Sequence, residues 1–153
     1  MRVAITILGD DGGSRMYWQF LDSGAAESAG AGSYEYQNGG LVMSYVACAP
    51  EQAQANLKSL ADVQAEFSER GITQKELDLA KQKIASHIVL ASERTESRMF
   101  SVGSQWLNGQ PFKSAHEIAA IYQSVTLDEV NQAIAEFPLG KNMTLAIGPN
   151  TDW

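Results

Sequence analysis

One cysteine and two histidines in 153 residues leave little room for disulfide or metal chemistry. A single cysteine forbids an intrachain disulfide. Cys48 closes an apolar run and reads as a small buried hydrophobe rather than a nucleophile. Cations are also scarce: 11 Lys and Arg stand against 18 Asp and Glu, giving a formal net charge of -7 and a pI near 4.7. A phosphate-binding surface needs clustered Lys and Arg, whereas Lys75, Lys81, Lys83 and Arg94 are spread among acids. That pattern is a solvated helix face and argues against nucleic acid as a partner. No apolar run approaches the length of a membrane span. Residues 3–8 are too short for a signal peptide and are followed at once by GDDGG. Repeats, low-complexity tracts and linkers are absent as well, so the 153 residues read as one domain with enough chain for a substantial core.

What is present is a long helical pattern. Leu77, Ala80, Ile84, Ile88 and Ala91 recur at three- and four-residue steps and line one helix face. Thr73 with Glu76 forms a capping box at its start, and the run is expected to continue, with a bend, to near residue 107. Around it, residues 2–8 are rich in Val and Ile and read as a strand. Ser14 caps a helix to residue 23, which Gly24 ends. Residues 25–36 and 41–48 read as strands joined by Gln37-Asn38-Gly39-Gly40, an Asn-Gly hairpin signal. The returning strand is apolar at most positions and is expected to be central and covered. Pro50 opens a helix to about residue 69 that Gly71 stops. Ser114 with Glu117 and Thr126 with Glu129 open two more, and residues 143–147 read as a last strand. Grouped helices between strands predict an α+β fold, an antiparallel sheet with helices packed on one face.

The candidate motifs yield mostly structural readings. LGDDGGSR turns from strand to helix, but Asp10 and Asp11 would repel a phosphate, so it reads as a tight turn with an N-cap serine. Two histidines four apart on a helix would supply a zinc pair. His116-Glu117-Ile118-Ala119-Ala120 begins such a motif and fails at Ala120, and His87 meets Leu90 and Ala91 where further ligands would stand. His116 therefore reads as a surface residue and His87 as a packed neighbour of the apolar stripe. Glu93 and Glu96, beside Arg94 and Arg98, read as ion pairs along a helix surface. Tyr17, Trp18, Phe20 and Trp106 read as core. No catalytic residue and no metal ligand emerges.

The stretch ITQKELDLAKQKIASHIVLASERTESRM, residues 72–99, resembles the "EL..AK" helix of the insulinase-like zinc peptidases, also called the pitrilysin or M16 family. LGDDGGSRMYWQFLDSGAAESA is similar to that family's "lGgg.sSRL...lre..glaYsv", and YQNGGLVMSYVACAPEQAQANL to its strand and helix. SVTLDEVNQAI and TLAIGP are similar to its closing helix and strand. Five pieces in the right order cover almost the whole chain. GDDGGSRMYW also points to a bacterial subgroup of zinc-protease relatives.

The resemblance implies the metallohydrolase-type α+β domain of insulinase-like and mitochondrial-processing peptidases, here the later part of a non-catalytic C-terminal domain. Such domains pair into a clamshell around an unfolded peptide, and zinc is held elsewhere, by HxxEH and a later Glu. This chain has Ala at 119 and 120 where Glu and His would complete that motif after His116, so it would bind no cofactor itself. Zinc would belong to a catalytic domain in the same protein or a partner, and the substrate would be a peptide or unfolded protein. The family's Arg and Tyr that hold substrate backbone align with Leu21 and Glu27, both changed here. The expected role is a wall of the peptide-enclosing chamber; the rival is an inactive assembly or protein-interaction subunit. A hydrolase built on Ser14, Cys48 or His87 has little support. Met1 leading straight into a strand suggests a start inside a longer chain, whose missing strands would leave a sheet edge open to self-association.

Overall fold

The segment with the highest β-branched content is a helix. In the computed structural model, which describes residues 1–36 and 39–149, α1 (Arg2–Gly9) replaces the expected first strand. Val3, Ala4, Ile5, Ile7 and Leu8 are all buried. The helix is apolar on nearly every side because β1, α3 and α6 enclose it. Valine and isoleucine favour strands only weakly, and this packing overrides the preference. Gly9 is required where α1 meets the sheet, because a Cβ there would collide with the backbone of Ala31.

The chain then turns through Gly13 at φ 75°. Asp10 accepts the Asp11 N–H at 2.9 Å and pairs with Lys83 at 2.6 Å, so the acidic turn is tied down internally. Ser14 Oγ accepts the Tyr17 N–H at 3.1 Å, the expected cap. The helix that follows is wound as a π-helical turn, Tyr17–Asp22. Phe20 of this turn and Met16 just before it are buried, and Trp18 is exposed.

The sheet is one antiparallel hairpin. β1 (Ser28–Tyr36) pairs with β2 (Gly39–Ala47) from Ser28 opposite Ala47 to Tyr36 opposite Gly39. Residues 37 and 38 of the expected Asn-Gly turn lie outside the described residues. Ala29, Ala31, Val42 and Val46 face the helices. Tyr34, Leu41, Met43 and Tyr45 face solvent. β2 is thus half-covered, not central: its pattern alternates in burial although both faces are apolar, because helices cover one side only.

A 3-10 turn at Pro50–Gln52 leads into α2 (Ala53–Arg70). The expected long helix is two, α3 (Gln74–Ser92) and α4 (Thr95–Leu107), separated at Glu93 and extended Arg94. α5 (Ala115–Ser124) and α6 (Leu127–Glu136) follow. Thr73, Ser114 and Thr126 each accept the N–H three residues on, with the Glu at that position answering in a full capping box. The core gathers Leu8, Phe20, Phe67, Leu77 and Ile134 between α1, α2, α3 and α6.

Several expectations are corrected. α4 buries none of its residues, and Trp106 is 78% exposed instead of lying in the core. His87 is exposed, because the buried stripe of α3 ends at Ile84. Cys48 is half-buried. Among the described residues, Glu93, Arg94, Glu96 and Arg98 form no ion pair. Residues 143–147 run exposed and join no sheet among the described residues. The architecture is α+β, an antiparallel sheet with helices packed on one face.

Candidate functional site

Two surfaces bear on function, and neither contains a metal-ligand set. Among the described residues, no three His, Cys, Asp or Glu side chains converge on a point that could hold an ion. His87 and His116 are both exposed, on α3 and α5. The described residues thus present no ligand set of the kind a zinc site needs.

The first surface is the loop between the π-helical turn and β1. Leu21 is half-buried and packs against the core. Glu27 is exposed, and its N–H donates to the Ala47 carbonyl at 2.9 Å. The loop is closed by the Gly24 N–H on the Leu21 carbonyl at 3.1 Å and the Ala26 N–H on the Phe20 carbonyl at 3.0 Å. Leu21, near the end of the π-helical turn, and Glu27, at the end of the loop that follows, are therefore brought close along one compact connection. Their chemistry is a half-buried aliphatic and an exposed acid, without the cationic and phenolic donors expected for holding a peptide backbone.

The second is a cleft of about 360 Å³ between α1 and β1. Arg2, Thr6 and Asp10, four apart on one side of α1, form one wall; Ala31, Gly32, Ser33 and Glu35 of β1 form the other. Arg2 donates to the Tyr122 hydroxyl at 3.4 Å and lies over its ring. Asp10 is held by Lys83. The Glu35 carboxylate has no partner among the described residues. Among the described residues, the edge of β1 on this side has no neighbouring strand. The cleft is not legible while residues 2–8 read as a strand; the four-residue spacing of Arg2, Thr6 and Asp10 marks it once they are helical.

A part-buried ion pair ties the segment after α1 to the start of α3. Arg15 Nε donates to Glu76 Oε1 at 2.8 Å, and Arg15 Nη2 donates to Glu76 Oε2 at 3.2 Å and to the Gly71 carbonyl at 2.7 Å. The guanidinium lies over the Phe67 ring, 5.2 Å from its centroid. Burial pushes the Glu76 carboxyl up, but hydrogen bonds from Arg15 and from the Thr73 N–H and hydroxyl outweigh it and hold the group below its usual value.

Comparison with known proteins agrees with this geometry. Residues 1–84 match the family described as the Peptidase M16 inactive domain. An uncharacterized zinc protease of Mycobacterium tuberculosis is 30% identical over 98% of this chain and 34% of its own length. One from Streptomyces coelicolor is 32% identical over 99% of this chain and 33% of its own. The chain thus spans about a third of the curated relatives it matches. The peptidase M16 inactive domain from Pseudomonas fluorescens superposes with a TM-score of 0.75 at 25% identity, over 88% of this chain and 32% of that one. An inactive peptidase domain from Bordetella parapertussis gives 0.77 at 20% identity, over 94% and 78%. With a family match across more than half its length, this chain belongs to the M16 peptidase family as its inactive C-terminal domain.

Proposed function

We propose that this chain is the non-catalytic part of an M16 zinc protease, forming a wall of the chamber that encloses a peptide substrate. The match to the inactive domain carries the reading, and the lack of any convergent ligand set among the described residues supports it. Zinc and the HxxEH motif belong to another domain of the longer protein or to a partner subunit. Leu21 and Glu27 stand where the resemblance puts Arg and Tyr, and neither can donate to a peptide carbonyl as those do. Substrate gripping through this loop is therefore lost, and the role left is to shape the chamber and exclude water.

The test is hydrolysis of an unfolded peptide with zinc, by this chain alone and with an HxxEH-bearing M16 domain. Activity only in combination, above that of the catalytic domain alone, is expected. Chelator-sensitive activity of the chain alone would overturn the reading. If the chain adds nothing to the catalytic domain, the inactive assembly subunit becomes the better account.

A further inference from the structure

The outer face of the hairpin is paved differently from the face under the helices. Ala29 and Ala31 of β1 and Val42 and Val46 of β2 pack against the helices. Gly30, Gly32 and Tyr34 therefore lie on the other side, opposite Tyr45, Met43 and Leu41. The two glycines leave room for rings. A Cβ at Gly30 would stand 3.1 Å from Tyr45 Cε1, and one at Gly32 would stand 3.4 Å from Tyr34 Cε2. Tyr45 and Tyr34 thus lie over bare backbone as a shelf, and both remain exposed. Among the described residues their hydroxyls have no hydrogen-bond partner. Charge is as unevenly placed. Residues 16–57, the hairpin with both its flanks, hold Asp22, Glu27, Glu35 and Glu51 and no Lys, Arg or His, although the chain has 11 Lys and Arg.

We propose that this shelf is a subsite for an extended peptide that carries apolar side chains two residues apart, flanked by Lys or Arg. The inference rests on the chamber role proposed above and names the class of substrate that such a wall selects. The spacing agrees: Gly30 and Gly32 are roughly 7 Å apart along the strand, which is also the repeat of side chains on one face of an extended peptide. Tyrosine rings offer apolar area and a negative face, so they take both aliphatic side chains and the stems of cations. The outward positions Gly30, Gly32, Tyr34, Leu41, Met43 and Tyr45 carry no charge, so an apolar side chain seated there desolvates none. The acids stand on the flanks, where they attract cations of the peptide and repel an acidic one. Contact area on the sheet thus stands in for the grip that Leu21 and Glu27 do not supply.

Fluorescence anisotropy of labelled, unstructured peptides on this chain tests the subsite without any catalysis. One peptide carries two leucines two residues apart among Ser, Thr and Lys. A second has the same composition with the leucines adjacent, and a third has Glu in place of each Lys. The first should bind at least about tenfold more tightly than either of the others, and should weaken as salt rises. Tyr34→Ser with Tyr45→Ser should abolish the preference, whereas Tyr34→Phe with Tyr45→Phe should retain it, because the rings make the shelf. Gly32→Thr, which fills the space under Tyr34 in a residue type that suits a strand, should weaken binding with both tyrosines in place. Equal binding of the three peptides, binding that survives Tyr34→Ser with Tyr45→Ser, or no binding up to about 1 mM chain would overturn the subsite. Sedimentation velocity adds one more outcome: self-association lost in the double Ser variant, with no peptide preference, would assign the face to a second copy and overturn it as well. Whether the chain raises hydrolysis by an HxxEH-bearing domain remains the separate test of the chamber role.

Discussion

At the scale of single residues, Glu76 joins three tasks. It closes the capping box of α3, receives Arg15 through both oxygens, and so ties the loop after α1 to the start of α3. Glu76→Gln keeps one acceptor and loses the charge, and should cost roughly 2 kcal/mol at pH 7 by denaturant unfolding. The pH dependence has a definite sign. The folded-state carboxyl is held below the usual 4.5, so its contribution is full above that value and is lost as pH falls through the folded value. The gap between wild type and Glu76→Gln should therefore close below about pH 4.5, and a gap that stays constant would show that charge is not what Arg15 binds. Gly71 is the second sensitive position. It ends α2 at φ 66°, ψ -148°, and a Cβ there would collide with Asn131 Oδ1, which accepts the Ile72 N–H at 2.8 Å. Gly71→Ala should cost about 2 kcal/mol or more, and Asn131→Ala should not relieve it, because the backbone strain remains.

At the scale of elements, what could be read from sequence was what is decided locally. A capping box needs only four residues, so the starts at Thr73, Ser114 and Thr126 were legible, as were the stops at Gly24 and Gly71. The state of residues 2–9 was not, because three elements distant in sequence enclose them and decide for a helix. That error also hid the cleft, whose walls lie more than 20 residues apart in the chain. The resemblance singled out Leu21 and Glu27, but their burial and bonding needed the fold. The break between α3 and α4 follows the same logic: the apolar stripe continues in sequence, but burial stops at Ile84 and nothing holds the helices in line. Amide exchange should show this difference. α1 and the first half of α3 should exchange slowest, and α4, with no buried residue, should exchange much faster. Equal protection of α3 and α4 would mean that α4 is covered by something the folded chain alone does not supply.

At the scale of the molecule, a net charge of -7 opposes association through an apolar surface exposed on two sides. One side is the outer sheet face with Tyr34, Leu41, Met43 and Tyr45; the other is α4 with Phe100, Trp106 and Leu107. Repulsion vanishes near the pI of about 4.7, so turbidity should peak there and clear above it. Trp106→Gln with Leu107→Gln leaves the charge and the pI unchanged. Both side chains are largely exposed, so unfolding at pH 7 should shift by no more than about 0.5 kcal/mol. If α4 carries the association, the double variant should remain clear at the pH where the wild type precipitates. Unchanged turbidity would move the association to the sheet face, where Met43→Gln is the next substitution. The two outcomes separate association through the helix surface of α4 from association through the sheet face that, on the proposed role, faces the peptide.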